Sequence, residues 1–291
     1  MMISGFGMCN GYYQKLKSGC YNLNSFYLKR YKKNLPFFAL LVLLNCIIDL
    51  KVDNIIEGLM ELTMLFGFLP NNTLSVIGVA WTLGAIFAFY IIFPYIVFLL
   101  YSRRRGVSAF AVSVGITFIC QVYFMTDKFV TKEFTMRHSF LFCLPYFLCG
   151  GLIYLYRNEI AHLVEMNKSV CIISCMALTI LYLIMPDEIA SMDIIVPKTL
   201  VLYAAWLFVA VGDNNAALSN KFTSYISGIS MEMYLAHMVV FRFVEKLQMS
   251  SLFGYGVIDY LVTYFSVLLI LIFGIAIYRR MARMIRLKIF M

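Results

Sequence analysis

The chain has 291 residues, of which 62% are hydrophobic and 13% charged. Its mean hydropathy of +0.84 excludes an ordinary water-soluble domain. The formal net charge of +9 does not signal nucleic acid, because no basic run is set in the exposed polar surface that a nucleic-acid-binding domain needs.

A helical span takes roughly 20 apolar residues, so a chain of this length holds up to about ten spans and no sizeable soluble domain. Barrel strands are segments of roughly ten residues with alternating polarity, and the long unbroken apolar runs here do not read that way.

Met1 to Met8 is apolar but covers only about a third of a span, and a basic loop comes after it. This start reads as the tail of a cut helix, and it lacks the basic n-region and cleavage site of a signal peptide. Apolar stretches then run from Leu35 to Leu50, Val76 to Tyr101, Val107 to Thr126 and Ser139 to Tyr156. They continue from Val170 to Met185, Thr199 to Val211, Tyr225 to Val244 and Val257 to Tyr278. The segment from Glu57 to Pro70 is short, opens with glutamates and ends in Pro70-Asn71-Asn72, which suits an interfacial or re-entrant helix and leaves open whether it spans. The predicted fold is therefore all-α: a polytopic transmembrane helical bundle of about eight full spans plus an N-terminal helix stub, with residues 1–291 as a single membrane-embedded domain.

Lys and Arg accumulate in cytoplasmic loops. Lys15, Lys17, Lys29, Arg30, Lys32 and Lys33 precede the first full stretch, Arg103 to Arg105 follow the second, and Arg279, Arg280, Arg283, Arg286 and Lys288 follow the last. Eight spans bring all three clusters to one side. That side is expected to be cytoplasmic and to hold the C-terminus of a multi-pass cell-membrane protein. Asp53, Glu57, Asp187, Glu188 and Asp193 fall on the other side. The eight cysteines show no close-spaced ligand pattern, so free thiols and no metal site are expected.

An ionisable group inside a span costs several kcal/mol unless paired or wet, and so marks a functional candidate. Glu232 is the clearest, in Ile229-Ser230-Met231-Glu232-Met233-Tyr234-Leu235-Ala236-His237. His237 lies five residues on, about 140° round an ideal helix, whereas Tyr234 and His237 share a face. Packing hydrogen bonds between helices explain such groups equally well. Arg30 and Lys33 stand at helical spacing before Pro36 and suit either a cytoplasmic anion site or positive-inside anchoring. Trp81-Thr82-Leu83, Phe89-Tyr90 and Phe93-Pro94 form a polar and aromatic string within a span. Arg137 and His138 stand at an outer mouth, where a sugar or anion is one reading and snorkelling the other.

Taken in order, these segments resemble the acyltransferase-3 family of polytopic membrane O-acyltransferases. Ser4-Gly5-Phe6 is similar to the family's Ser-Gly element, and Arg30, Lys33 and Pro36 to its spaced bases before a proline. The string from Trp81 to Pro94 and the segment from Ser230 to His237 match two further elements. The resemblance implies transfer of an acyl group, expected to be acetyl, from cytoplasmic acyl-coenzyme A to a hydroxyl of an extracytoplasmic glycan. It implies no bound cofactor. Partners would be membrane lipid, the acyl-coenzyme A donor and the glycan acceptor, and no nucleic acid.

On this reading Glu232 and His237 are the catalytic candidates, and Arg30, Lys33, Trp81, Tyr90, Arg137 and Tyr234 bind substrate. The family's first helix, which carries its catalytic histidine, is missing from the chain, so His237 is expected to position or pack and the chain alone to be nearly inactive. Ile86 stands where many members carry a glutamate. A transporter or flippase of a glycan or lipid-linked substrate is the alternative, although the internal repeats frequent in transporters are not evident. A non-catalytic remnant or partner subunit is a third reading.

Overall fold

The computed structural model describes residues 1–69, 76–124, 126, 128–129, 139–184, 195–212, 220–247 and 256–289. Among these, every regular element is helical. α1 (Met2–Met8) runs through a π-helical turn, Cys9–Tyr13, into α2 (Gln14–Lys17). Gly19 then turns the chain at φ +70, a conformation that glycine adopts without penalty. α3 (Leu23–Ile48), α4 (Val52–Leu62), α5 (Trp81–Leu99) and α6 (Arg103–Ile119) come next. α7 (Phe140–Leu155), α8 (Arg157–Met166), α9 (Lys168–Ile184), α10 (Ile195–Gly212), α11 (Lys221–Lys246) and α12 (Val257–Ile289) complete the order.

Two helix starts carry their own caps. Ser102 Oγ accepts from Arg105 N at the head of α6, and Asn220 and Thr223 form a reciprocal capping box at the head of α11. Each cap satisfies a donor that the first turn leaves orphaned.

Each expected apolar stretch overlaps a helix, but among the described residues length and composition qualify four as able to cross a membrane: α3, α5, α6 with its π-helical extension to Phe124, and α12 as far as Met284. α7 and α8 pass as a fifth if counted as one span bent by 73°. α9 and the apolar part of α10 are shorter apolar helices, and α11 includes Glu232, Arg242, Glu245 and Lys246 among its 26 residues. Four helices, or five with the bent pair, are thus long and apolar enough to cross a membrane among the described residues, and the expected count of about eight is not confirmed.

The chain divides into two compact units: Met1–Arg30, Leu65–Asn72 and Thr82–Ala216 in the first, and Tyr31–Met64, Thr73–Trp81 and Ala217–Met291 in the second. In the first unit α1 lies against α7. A Cβ on Gly5 would collide with the Phe147 carbonyl, and one on Gly150 with the Met2 carbonyl. These two glycines let the backbones touch, the usual device of helix contacts in lipid, where small residues replace hydrophobic driving force. The Ser4-Gly5-Phe6 element thereby gains a packing reason. Phe89 stacks on Phe147 at a centroid distance of 4.4 Å, tying α5 to the same helix.

In the second unit α11 and α12 pack along each other. Near the C-terminal end of α11, Arg242 reaches Asn45 Oδ1 at 3.3 Å and Lys246 reaches the Ile48 carbonyl at 3.2 Å, so α3 and α11 run the same way. α4 doubles back along α3. A Cβ on Gly58 would meet Val42 and Cys46, and Thr63 O accepts the Tyr31 hydroxyl at 3.5 Å. Met64, buried and at φ 57, ends that return in a left-handed conformation costly to non-glycine residues. The Glu57 to Pro70 segment thus opens as a short helix folded back on α3. Pro70, Asn71 and Asn72 lie outside the described residues.

Gly5→Ala and Gly150→Ala should each destabilise the purified protein by about 1–3 kcal/mol, the usual cost of overpacking. Gly7→Ala, where an added Cβ meets nothing, should be silent. Thermal unfolding in detergent checks this, and equal behaviour of all three variants would deny the α1–α7 contact.

Candidate functional site

In the second unit, α3 and α11 enclose a cavity of about 120 Å³ whose lining includes Lys33, Asn34, Ser227, Gly228, Ser230 and Glu232. Lys33 and Glu232 each stand about three turns into their helices, α3 and α11, so two residues singled out separately in the sequence meet here. α12 supplies the third charged group. Arg279 donates to the Gly228 carbonyl and, at 2.6 Å, to Glu232 Oε1. The guanidinium bridges one turn of α11, from a carbonyl at position 228 to a carboxylate at 232.

This ion pair is half-buried, with side-chain exposures of 35% for Arg279 and 21% for Glu232. Partial burial makes a charge-assisted bond stronger than its counterpart in water. Lys33 and Glu232 line the cavity, and Arg279, outside the lining, binds two of the lining residues, so two cations stand with one anion, a net positive charge suited to an anionic group. The cavity's volume suits a phosphate or thioester rather than a whole nucleotide.

Arg30 belongs to the first unit. Its guanidinium carbon lies 4.5 Å from the ring centre of Tyr12, 5.1 Å from that of Tyr90 and 5.7 Å from that of Phe26. Aromatic faces stabilise the cation through the ring quadrupole. Arg30 Nε is buried with no hydrogen-bond partner. Near this cage, Tyr13 donates to the Leu100 carbonyl at 2.9 Å and Lys17 to that of Tyr101 at 3.0 Å. Tyr90 itself is buried in α5.

Tyr234 and His237 face each other on α11 with ring centres 5.7 Å apart, as their three-residue spacing implies. His237 Nδ1 lies 2.6 Å from the Tyr234 carbonyl. A carbonyl only accepts, so Nδ1 carries the proton in that contact, and in the neutral imidazole Nε2 presents the lone pair. Neither residue lines the cavity of Lys33 and Glu232. Trp81 opens α5, and Ile86 is buried within it, an apolar group with no proton to exchange. Arg137 and His138 lie outside the described residues.

Sequence reasoning missed the role of Arg279, which reads as one member of a basic cluster after the last span. An unpaired acid within a neighbouring span, and a base at the end of α12, were the available signal. It also passed over Glu61 and Asn45, both buried in the second unit. Among the described residues no group of three His, Cys, Asp or Glu side chains comes together to hold a metal ion. A further cavity of about 390 Å³ in the first unit, lined by residues including Phe6, Arg157, Asn158 and Val211, contains none of the expected site residues.

A family model described as an acyltransferase domain, that of the acyltransferase-3 family, matches residues 1–280. No curated protein and no solved structure matches the chain.

Coupling between Glu232 and Arg279 is measurable. Glu232→Gln or Arg279→Gln leaves one charge half-buried and unpaired and should cost about 1–3 kcal/mol. The double variant should cost clearly less than the sum of the two. A double-mutant cycle on thermal unfolding checks this, and strict additivity would mean that the pair does not form.

Proposed function

Because the chain belongs to the acyltransferase-3 family, and is with it a membrane acyltransferase, we propose that it moves an acetyl group from cytoplasmic acetyl-coenzyme A to a hydroxyl of an extracytoplasmic glycan. The observation that carries this reading is one cavity lined by Lys33 and Glu232, both on segments that resemble family motifs, with Arg279 paired to Glu232. In this proposal the protein is a multi-pass protein of the cell membrane with its C-terminus in the cytoplasm. Lys33 and Arg279 then face the donor side.

In the reaction the acceptor oxygen attacks the thioester carbonyl carbon. The carbon–sulfur bond breaks, and the hydroxyl proton ends on the departing thiolate of coenzyme A. Negative charge develops on the carbonyl oxygen, and fixed cations placed near it lower the barrier because they need no reorganisation when the charge appears. Lys33 and Arg279 are assigned to that charge or to the phosphates of the donor, with Glu232 holding the Arg279 guanidinium in place. The Arg30 cage supplies a second, separate anion contact in the first unit, where the stacked guanidinium offers its Nε donor.

His237 lies about 7.5 Å further along α11 than Glu232, at 1.5 Å per residue, on the side assigned to the acceptor. Its free Nε2 is assigned to accept the hydroxyl of the sugar, with Tyr234 holding the ring. Trp81 is assigned flat apolar surface for substrate, and the buried Tyr90 serves the site by holding the Arg30 guanidinium.

Arg30→Gln and Lys33→Gln should each weaken acetyl-coenzyme A binding to the protein in lipid nanodiscs by about 10- to 100-fold, the equivalent of one charge-assisted hydrogen bond of roughly 1.5–3 kcal/mol. Raised salt should weaken the wild type toward the variants. Arg104→Gln, an exposed base outside both sites, should bind as the wild type does. Unchanged affinity in both site variants would leave Arg30 and Lys33 as topology anchors alone.

A further inference from the structure

Glu61 is the most completely enclosed carboxylate among the described residues, with an exposure of 0%, and the cavity of Lys33 and Glu232 makes no use of it. Its Oε1 accepts the Ile77 N–H at 3.3 Å, while Oε2 is buried with no hydrogen-bond partner. The carbonyl of that same peptide group, Val76 O, accepts Asn45 Nδ2 at 2.7 Å. Asn45, 4% exposed, is oriented in turn by Arg242, which donates to its Oδ1 at 3.3 Å. A single peptide group is thus gripped at both poles, its N–H by α4 and its C=O by α3.

The grip matters because of the chain on either side of it. Ala80 N donates to the Ile77 carbonyl at 2.7 Å, closing a turn, and α5 begins at the next residue, Trp81. On the α4 side, Met64 N donates to the Glu61 carbonyl at 2.9 Å, so the chain reverses directly after the residue that does the gripping. All of these groups belong to the second unit.

We propose that Glu61 and Asn45 are positioning residues which clamp the Val76–Ile77 peptide and so set where α5 begins and how Trp81 is presented. Glu61 works in its neutral form. A carboxylate with one oxygen unpartnered in an enclosed site bears the full desolvation cost of its charge, whereas the acid does not. Burial pushes its carboxyl up to about 7, against the opposing pull of the Ile77 and Val76 N–H groups and with a further rise from Glu57.

The titratable and charged groups around it are Glu57 on its own helix, Cys46 on α3 and Arg242 on α11 behind Asn45. The segment from Val76 to Ala80 carries none. A carboxyl raised in the folded state binds its proton more tightly there than in the unfolded chain. The stability it contributes is therefore complete below the ordinary carboxylate range and is lost as pH rises through about 7.

The chain has two tryptophans, so Trp206→Phe leaves Trp81 as the sole reporter in the full-length protein in nanodiscs. Its emission should shift to the red and its quenching by acrylamide should rise as pH passes about 7. Glu61→Gln keeps the oxygen acceptor without the titration, and should hold the low-pH signal at every pH. Glu61→Ala and Asn45→Ala should each expose Trp81, and the double variant no more than either. The complementary Trp81→Phe protein, read through Trp206 in the other unit, should stay unchanged when Glu61 is replaced. A pH response that survives Glu61→Gln overturns the clamp, and this arm decides alone should Glu61→Ala not fold. Alanine variants that leave Trp81 unmoved, or that move Trp206 equally, also overturn it.

Discussion

Hydrocarbon offers no hydrogen-bond partner, so each polar group that a membrane chain carries into it must be satisfied by the chain itself. The backbone meets this demand by becoming helical. Side chains meet it by pairing across helices, and in the second unit the pairing is between charges. Glu232 on α11 is answered by Arg279 on α12, which also takes up the Gly228 carbonyl. In the first unit Tyr27 donates to the Ile91 carbonyl at 3.0 Å, three residues ahead of Pro94 in α5. Arg30 is held by ring faces rather than by a carboxylate, which keeps part of its donor set for another partner. Function is proposed where pairing leaves a surplus: an extra cation beside the Glu232–Arg279 pair, and an unspent donor on Arg30.

Much of this organisation is legible in the chain of letters, because hydropathy reports burial in lipid directly. The apolar runs mark the helices, and prolines at 36, 94 and 145 do not end them, since neighbouring groups in a bundle take up the freed carbonyls. Ser139 to Tyr156 ends where α7 breaks, at a Tyr156 with φ -103 and ψ 11. The 73° bend into α8 leaves no such mark, because α8 reads only as a polar connection. The return of α4 along α3 depends on Gly58 facing Val42 and Cys46, a long-range contact that no local pattern encodes.

The site is legible in its members and not in their meeting. Lys33 and Glu232 stand out one at a time, as a base before a proline and as an acid in a span. Neither spacing reveals that both line one cavity. Arg279 was hidden by its neighbours, because a base at the end of a span already has a sufficient explanation in membrane orientation. Glu61 was hidden by its element, since a glutamate in a short segment with another glutamate reads as an interfacial helix, and only the fold shows it enclosed. The glycine of Ser4-Gly5-Phe6 is the reverse case: a conspicuous motif whose meaning, contact with the α7 backbone, needed the partner helix to be seen.

The central claim is that the cavity of Lys33 and Glu232, with Arg279 paired to Glu232, receives the reactive end of the acyl donor. The most direct measurement is photoaffinity labelling of the membrane-embedded protein with an acetyl-coenzyme A analogue carrying a photoreactive group in place of the acetyl, with mass-spectrometric mapping of the labelled residues. Label on α3 around Lys33 and on α11 around Glu232, competed by unmodified acetyl-coenzyme A, is the expected result. Competed label confined to other helices would contradict the claim.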